Sequence, residues 1–81
     1  MTPEQALKRI EPILRELFDE YDGPVSSNLD ARSVEQWDSL ANVQLVVMVE
    51  KEFGVKFSTA EITNLRNLGE LANLVTTKHG L

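Results

Sequence analysis

The first apolar pattern of the chain predicts a helix over residues 2–21. Its apolar positions fall on one face at about 100° per residue, and they are Leu7, Ile10, Ile13, Leu14, Leu17 and Phe18. The stretch Thr2-Pro3-Glu4-Gln5 has the pattern of a capping box with proline at the first helical position. Gly23 and Pro24 are expected to end the helix, because glycine can take a left-handed cap and proline cannot continue the helix.

A second helix is predicted over residues 39–53, and it carries two apolar stripes. The first stripe consists of Leu45, Val46, Val49 and Phe53, and the second, on roughly the opposite side, consists of Leu40, Val43 and Val47. Gln44 and Lys51 share the sector of the second stripe, so we expect the first stripe to face the core and the second to face solvent or a partner. The alternative is that both stripes are buried in a bundle.

The last third of the chain predicts two more helices. Gly54 is expected as the glycine cap of the second helix, and Val55 and Phe57 are expected to enter the core. Ser58-Thr59-Ala60-Glu61 is a second capping box, which opens a short helix containing Ile62 and Leu65. The final helix is expected over residues 67–80, ended by Gly80, with inward positions Leu68, Leu71, Leu74 and Val75. The pattern therefore predicts an all-α fold, a four-helix bundle with a short third helix.

A long loop separates the first two helices. Polar turn residues fill positions 22–38 and are interrupted by Val25, Leu29 and Val34, which we expect to pin the loop across the bundle. Loops of this length in compact domains are often functional. The loop would then deliver Ser39 to an exposed apex of the bundle, although a simple crossover between two helices also explains it.

Composition limits the function classes. The 81 residues predict one domain over residues 1–81, without cysteine for disulfides or thiolate metal sites. A formal net charge of −5 argues against nucleic acid as a partner. Residues 1–38 hold nine acidic and four basic residues, whereas residues 39–81 hold four of each. No apolar run approaches membrane-spanning length, so we expect a cytoplasmic protein without membrane insertion. We also expect the chain to be a monomer.

Ser39 is the residue whose reactive group is most clearly expected to be exposed to other molecules. Asp38 is the expected N-cap, with its carboxylate accepting from the backbone one or two residues on, so the Ser39 hydroxyl lies at a helix N-terminus where an attached phosphate is favoured. The single histidine, His79, is more typical of a helix C-terminus than of a catalytic base, and the acidic residues of segment 19–22 lack the spacing of a calcium loop. A presented hydroxyl without an activating base indicates a substrate of another enzyme, and not an enzyme or a metal site.

The chain resembles the acyl carrier protein family. The resemblance lies in Asp38-Ser39-Leu40, in the helix that continues through residues 43–46 and 50–55, in Phe57-Ser58 and in the spacing of Ile62, Leu68 and Leu71. It implies that Ser39 receives a covalent 4′-phosphopantetheine arm and that Asp38 presents the serine and assists the metal of the transferase. It also implies that the second helix is the docking element, with Leu40, Val43, Gln44, Val47 and Lys51 as its partner-facing residues.

By resemblance the chain would hold acyl or aminoacyl thioesters and carry them between enzymes. Its partners would be a phosphopantetheinyl transferase, an acyl- or aminoacyl-loading ligase and downstream acyl-transfer enzymes. Ala41, Gln44 and Lys51 stand where carriers of fatty acid synthesis often have acids, and Trp37 replaces a small residue. These departures favour a specialised biosynthetic pathway over housekeeping fatty acid synthesis. The alternative is an unmodified helical interaction module, regulated by phosphorylation of Ser39.

Overall fold

The computed structural model describes residues 2–79, and these fold into four helices. Their bounds are Pro3–Leu17 (α1), Ser39–Phe53 (α2), Thr59–Thr63 (α3) and Leu68–His79 (α4). The predicted all-α fold, with its short third helix and its long connection between the first two, is confirmed. Gly80, the expected end of the last helix, lies outside the described residues. Within residues 2–79, no helix has the length and apolar content that crossing a membrane requires.

α1 begins as predicted and ends earlier than predicted. The Gln5 N–H donates to Thr2 Oγ1 at 3.2 Å and the Thr2 N–H donates to Gln5 Oε1 at 3.0 Å, which completes the capping box. The expected end near residue 21 is wrong, because Phe18 leaves the helical region with φ −109° and ψ 65°. Gly23 does not provide a left-handed cap, since Gly54 is the one glycine with positive φ among the described residues.

The first stripe of α2 faces the core and the second faces solvent. Leu45, Val46 and Val49 are fully buried in a cluster with α1 and α4. The second stripe keeps large exposed fractions, with Leu40 at 69%, Val43 at 47% and Val47 at 40%. The alternative in which both stripes are buried is therefore wrong. The outward stripe leaves an apolar surface beside the start of α2.

The long loop is pinned to the bundle by buried side chains and by backbone hydrogen bonds. Leu29 and Val34 are buried. The Leu68 N–H donates to the Leu29 carbonyl and the Gly69 N–H donates to the Ser27 carbonyl, each at 2.8 Å. A Cβ atom at position 69 would lie 2.9 Å from both Cβ and the carbonyl oxygen of Ser27. Glycine therefore permits the close approach that ties the loop to the start of α4.

The link after α2 begins with a glycine cap, and the short α3 begins with a capping box. Gly54, at φ 67° and ψ 37°, caps α2 as expected, and Phe57 enters the core. α3 starts with the predicted capping box, in which the Ser58 N–H donates to the Glu61 carboxylate at 2.8 Å. That hydrogen bond and the neighbouring Lys78 lower the pKa of Glu61. α3 ends at Thr63, so Leu65, expected within it, follows it as a partly buried residue.

Candidate functional site

Ser39 is the first residue of α2, and its side chain is exposed. Asp38 is the N-cap in extended geometry, with φ −106° and ψ −172°. The backbone N–H of Ala41 donates to Asp38 Oδ1 at 2.8 Å, so the cap reaches three residues on instead of the one or two expected. This bond satisfies one of the free N–H groups of the first turn. The hydroxyl therefore stands at the positive end of a helix of 15 residues.

Trp37 fixes the backbone that leads into the cap. Its indole N–H donates to Asn42 Oδ1 at 3.0 Å, and its ring stacks on Phe18 with centroids 5.5 Å apart. Its backbone N–H donates to the Val34 carbonyl at 3.0 Å. The sequence identified Trp37 only as a departure from the family pattern. Its structural role was missed because its two side-chain partners, Phe18 and Asn42, are brought against it only in the folded chain.

Open space lies beside the serine on two sides. One cleft of about 310 Å³ is lined by Ala31, Trp37, Asp38, Ser39, Asn42, Leu65 and Arg66. A second of about 290 Å³ lies between α2 and α3 and is lined by Ser39, Asn42, Val43, Ile62, Thr63 and Leu65. Both offer amide or guanidinium groups next to aliphatic walls. An exposed hydroxyl, a helix N-terminus and mixed clefts fit a flexible phosphodiester arm that has amide groups.

The five residues expected to face partners lie together on α2. Leu40, Val43, Gln44, Val47 and Lys51 are all exposed. On a helical projection they fall within about 100° of one another. They form what we call the docking face. Ala41 does not belong to this surface: it is 9% exposed and packs in the core. Position 41, where carriers of fatty acid synthesis often have an acid, is therefore buried in this chain.

His79 does not line either of the two clefts beside Ser39. His79 is the last residue of α4 and is exposed. Within residues 2–79, no group of three or more histidine, cysteine or carboxylate side chains has an arrangement that could hold a metal ion. The site that the structure does show consists of the exposed Ser39 hydroxyl, the Asp38 cap and the two clefts beside them.

Substitutions at Asp38 should separate the contribution of its capping hydrogen bond to stability from that of its negative charge. Asp38→Ala should lower the free energy of unfolding by about 1 kcal/mol, because it removes the acceptor for the Ala41 N–H. Asp38→Asn should change it little, since asparagine caps helices about as well as aspartate. Urea denaturation of the two variants beside the wild-type chain measures both values. Equal losses for the two variants would contradict a capping role.

Two comparisons with known proteins give matches that agree with each other. The profile of the family described as phosphopantetheine attachment site matches residues 14–75. The solution NMR structure of a holo acyl carrier protein from Geobacter metallireducens is similar, with a TM-score of 0.82 and 36% sequence identity. The similarity covers 93% of this chain and 86% of that one. A comparison with curated proteins gives no match.

Proposed function

Because the chain belongs to the acyl carrier protein family, defined by its phosphopantetheine attachment site, we propose that Ser39 is the residue that bears the arm. As a member of that family the chain carries a covalent 4′-phosphopantetheine arm and is a carrier, not an enzyme. It interacts with a phosphopantetheinyl transferase and with acyl-handling enzymes. The observation that carries the assignment is the exposed Ser39 hydroxyl directly behind the Asp38 cap, beside two open clefts.

The residues around Ser39 have distinct tasks in this proposal. When attached, the arm supplies a thiol that holds an acyl or aminoacyl group as a thioester. The N–H groups of the first turn of α2 stabilise the phosphodiester anion at Ser39. Asp38 keeps the turn in place through Oδ1, and its exposed carboxylate can approach the metal of the transferase. Asn42 is already held by Trp37, which fixes one wall of each cleft.

We also propose that the cargo belongs to a specialised biosynthetic pathway. Support comes from Gln44 and Lys51, which leave the docking face without an acidic residue, and from Trp37, which is built into the site by a stack and a hydrogen bond. A loading ligase that recognises such a face would differ from enzymes adapted to acidic carriers. In this proposal the chain acts as one carrier domain over residues 1–81, as a monomer in the cytoplasm.

The intact mass of the protein isolated from its native host tests the assignment and reports the cargo. We expect one phosphopantetheine group per chain, with or without an acyl or aminoacyl group on its thiol. Mild hydroxylamine treatment should release only the cargo, because it cleaves thioesters and leaves the phosphodiester. A chain that stays unmodified in its host, and also after coexpression with a promiscuous transferase, would overturn the proposal in favour of an unmodified interaction module.

Partner binding should depend on the apolar residues of the docking face. Val43→Asp or Val47→Asp should weaken the affinity for the loading ligase about tenfold, because each places a charge in a contact that buries aliphatic surface. Affinity should change little between low and moderate salt, since apolar contacts are not screened. Titration calorimetry at two salt concentrations checks both points. A steep salt dependence, together with indifference to Val47→Asp, would contradict this form of docking.

A further inference from the structure

A cleft of about 360 Å³ lies at the C-terminal end of α2, at the opposite end of this helix from Ser39. It is lined by Val47, Glu50, Lys51, Gly54, Val55 and Lys56. Val47 also belongs to the docking face and is 40% exposed. The cleft therefore continues the docking face beyond the end of the helix, with two valines and two lysines along its walls.

The carboxylates near this cleft are engaged within the chain. Glu52 pairs with Arg9 at 2.8 Å, and Arg9 also donates to the Glu52 carbonyl at 3.2 Å. Glu50, which lines the cleft, accepts from the Phe57 N–H through Oε2 at 2.7 Å. Lys51 and Lys56 take part in none of the ion pairs formed among residues 2–79. Two lysines and one carboxylate, that of Glu50, line the cleft, so the charge presented to an external partner there is net positive.

We propose that this cleft, the lysine cleft, binds an acidic amphipathic segment of an acyl-handling enzyme. One aliphatic side chain of the segment packs between Val47 and Val55, and its carboxylates pair with Lys51 and Lys56. The proposal rests on the proposed function, because it extends the docking face of a carrier. It assigns the partner a negatively charged surface, where the charge of the whole chain, at −5, would suggest a positive one.

The overall negative charge does not oppose this arrangement strongly. Nine of the thirteen acidic residues lie in residues 1–38, outside α2 and the link that follows it. At physiological ionic strength, charges separated by more than about 8 Å are largely screened from each other. A carboxylate in the cleft would respond most strongly to the charges that line it, those of Lys51, Lys56 and Glu50. Pairing with Lys51 and Lys56 should weaken with salt, so it adds a modest salt-dependent contribution to the mainly apolar docking proposed above.

Two synthetic peptides with the same leucine stripe test the proposal. One carries glutamates on its polar face and the other carries lysines at the same positions, and each is titrated into the full 15N-labelled chain. The glutamate peptide should shift the amide signals of Val47, Lys51, Gly54, Val55 and Lys56 and should bind at least threefold more tightly than the lysine peptide. Lys51→Glu and Lys56→Glu should each lower the affinity for the glutamate peptide by about three- to tenfold.

Lys8→Glu is the matched control, because it makes the same change in net charge. Lys8 is exposed and lies about 160° around α1 from the centre of its buried face, so this variant should bind the glutamate peptide as the wild type does. Equal or tighter binding of the lysine peptide, shifts confined to other residues, or no shifts would overturn the proposal. An equal loss of affinity for the glutamate peptide in Lys8→Glu would also overturn the proposal, since it would show that the net charge of the chain explains the effect.

The same samples keep this proposal separate from the assignment of Ser39. Each chain is titrated before and after incubation with coenzyme A and a promiscuous transferase, and its intact mass is recorded. An unmodified chain that still binds the glutamate peptide in the cleft would contradict the carrier assignment and leave the cleft as an interaction site. A modified chain without binding would contradict the cleft alone.

Discussion

Phe53→Ala is expected to lower the free energy of unfolding by about 3–5 kcal/mol. Phe53 is the last residue of α2 and is only 7% exposed. Its ring packs in the core cluster, with the Arg9 guanidinium carbon 4.4 Å from the ring centroid on its outer side. Truncation would leave a cavity and would remove the surface on which Arg9 rests. Since small domains are stable by about 5–15 kcal/mol, this loss would threaten folding at ambient temperature.

Val47→Ala is the comparison that gives the Phe53 result its meaning. Both residues lie on α2, but Val47 is on the outward stripe and keeps 40% of its surface exposed. We expect Val47→Ala to lower the free energy of unfolding by less than about 1 kcal/mol, because little buried surface is lost. Leu45→Ala, at a fully buried position, should fall with Phe53→Ala at about 2–5 kcal/mol. Equal losses at Val47 and Phe53 in urea melts would contradict the assignment of the two faces.

The helices could be predicted where the determining signals are local. The two capping boxes join residues three apart, Thr2 with Gln5 and Ser58 with Glu61, and both are present. The inward stripe of α2 follows from helical periodicity, which depends on spacing alone. The sequence also predicted which of the two stripes faces the core, because Gln44 and Lys51 indicate that the other stripe faces solvent. Residue patterns within each helix were therefore sufficient to predict where the helices lie and which of their faces are buried.

The errors occurred where residues distant in sequence decide the backbone. α1 ends at Leu17 although Gly23 and Pro24 are the stronger local stop signals. Phe18 leaves the helix while its ring stacks on Trp37, which is 19 residues away. The helical spacing of the Phe18 side chain supported a longer helix, because periodicity alone does not reveal that partner.

The candidate site was predictable in its centre and not in its surroundings. Asp38 and Ser39 were identified from a cap followed by an apolar helix, and both take those positions in the structure. The burial of Ala41 depends on how α2 packs in the bundle. The net positive charge near the lysine cleft depends in part on the pairing of Glu52 with Arg9, which are 43 residues apart. The charge presented to partners is set by the folded chain, because internal contacts determine which charges are already engaged.

Ser39→Ala is expected to abolish modification completely and to leave the fold intact. The cap does not depend on the Ser39 hydroxyl, because Asp38 Oδ1 accepts from the Ala41 N–H. The substitution removes one exposed oxygen, so the free energy of unfolding should change by no more than about 0.5 kcal/mol. Without an oxygen nucleophile at the start of α2, the transferase has no acceptor there. Incubation with coenzyme A and a transferase, followed by intact-mass measurement, should show the unmodified chain.

Ser26→Ala is the control for this loss, because Ser26 is an exposed serine of the long loop and does not begin a helix. It should gain the mass of one phosphopantetheine group at the wild-type rate. Circular dichroism of both variants separates a lost acceptor from a lost fold. Modification of the Ser39→Ala chain would move the attachment site elsewhere. We expect the hydroxyl to be needed at this position, because an exposed oxygen, the positive end of α2 and two open clefts coincide there.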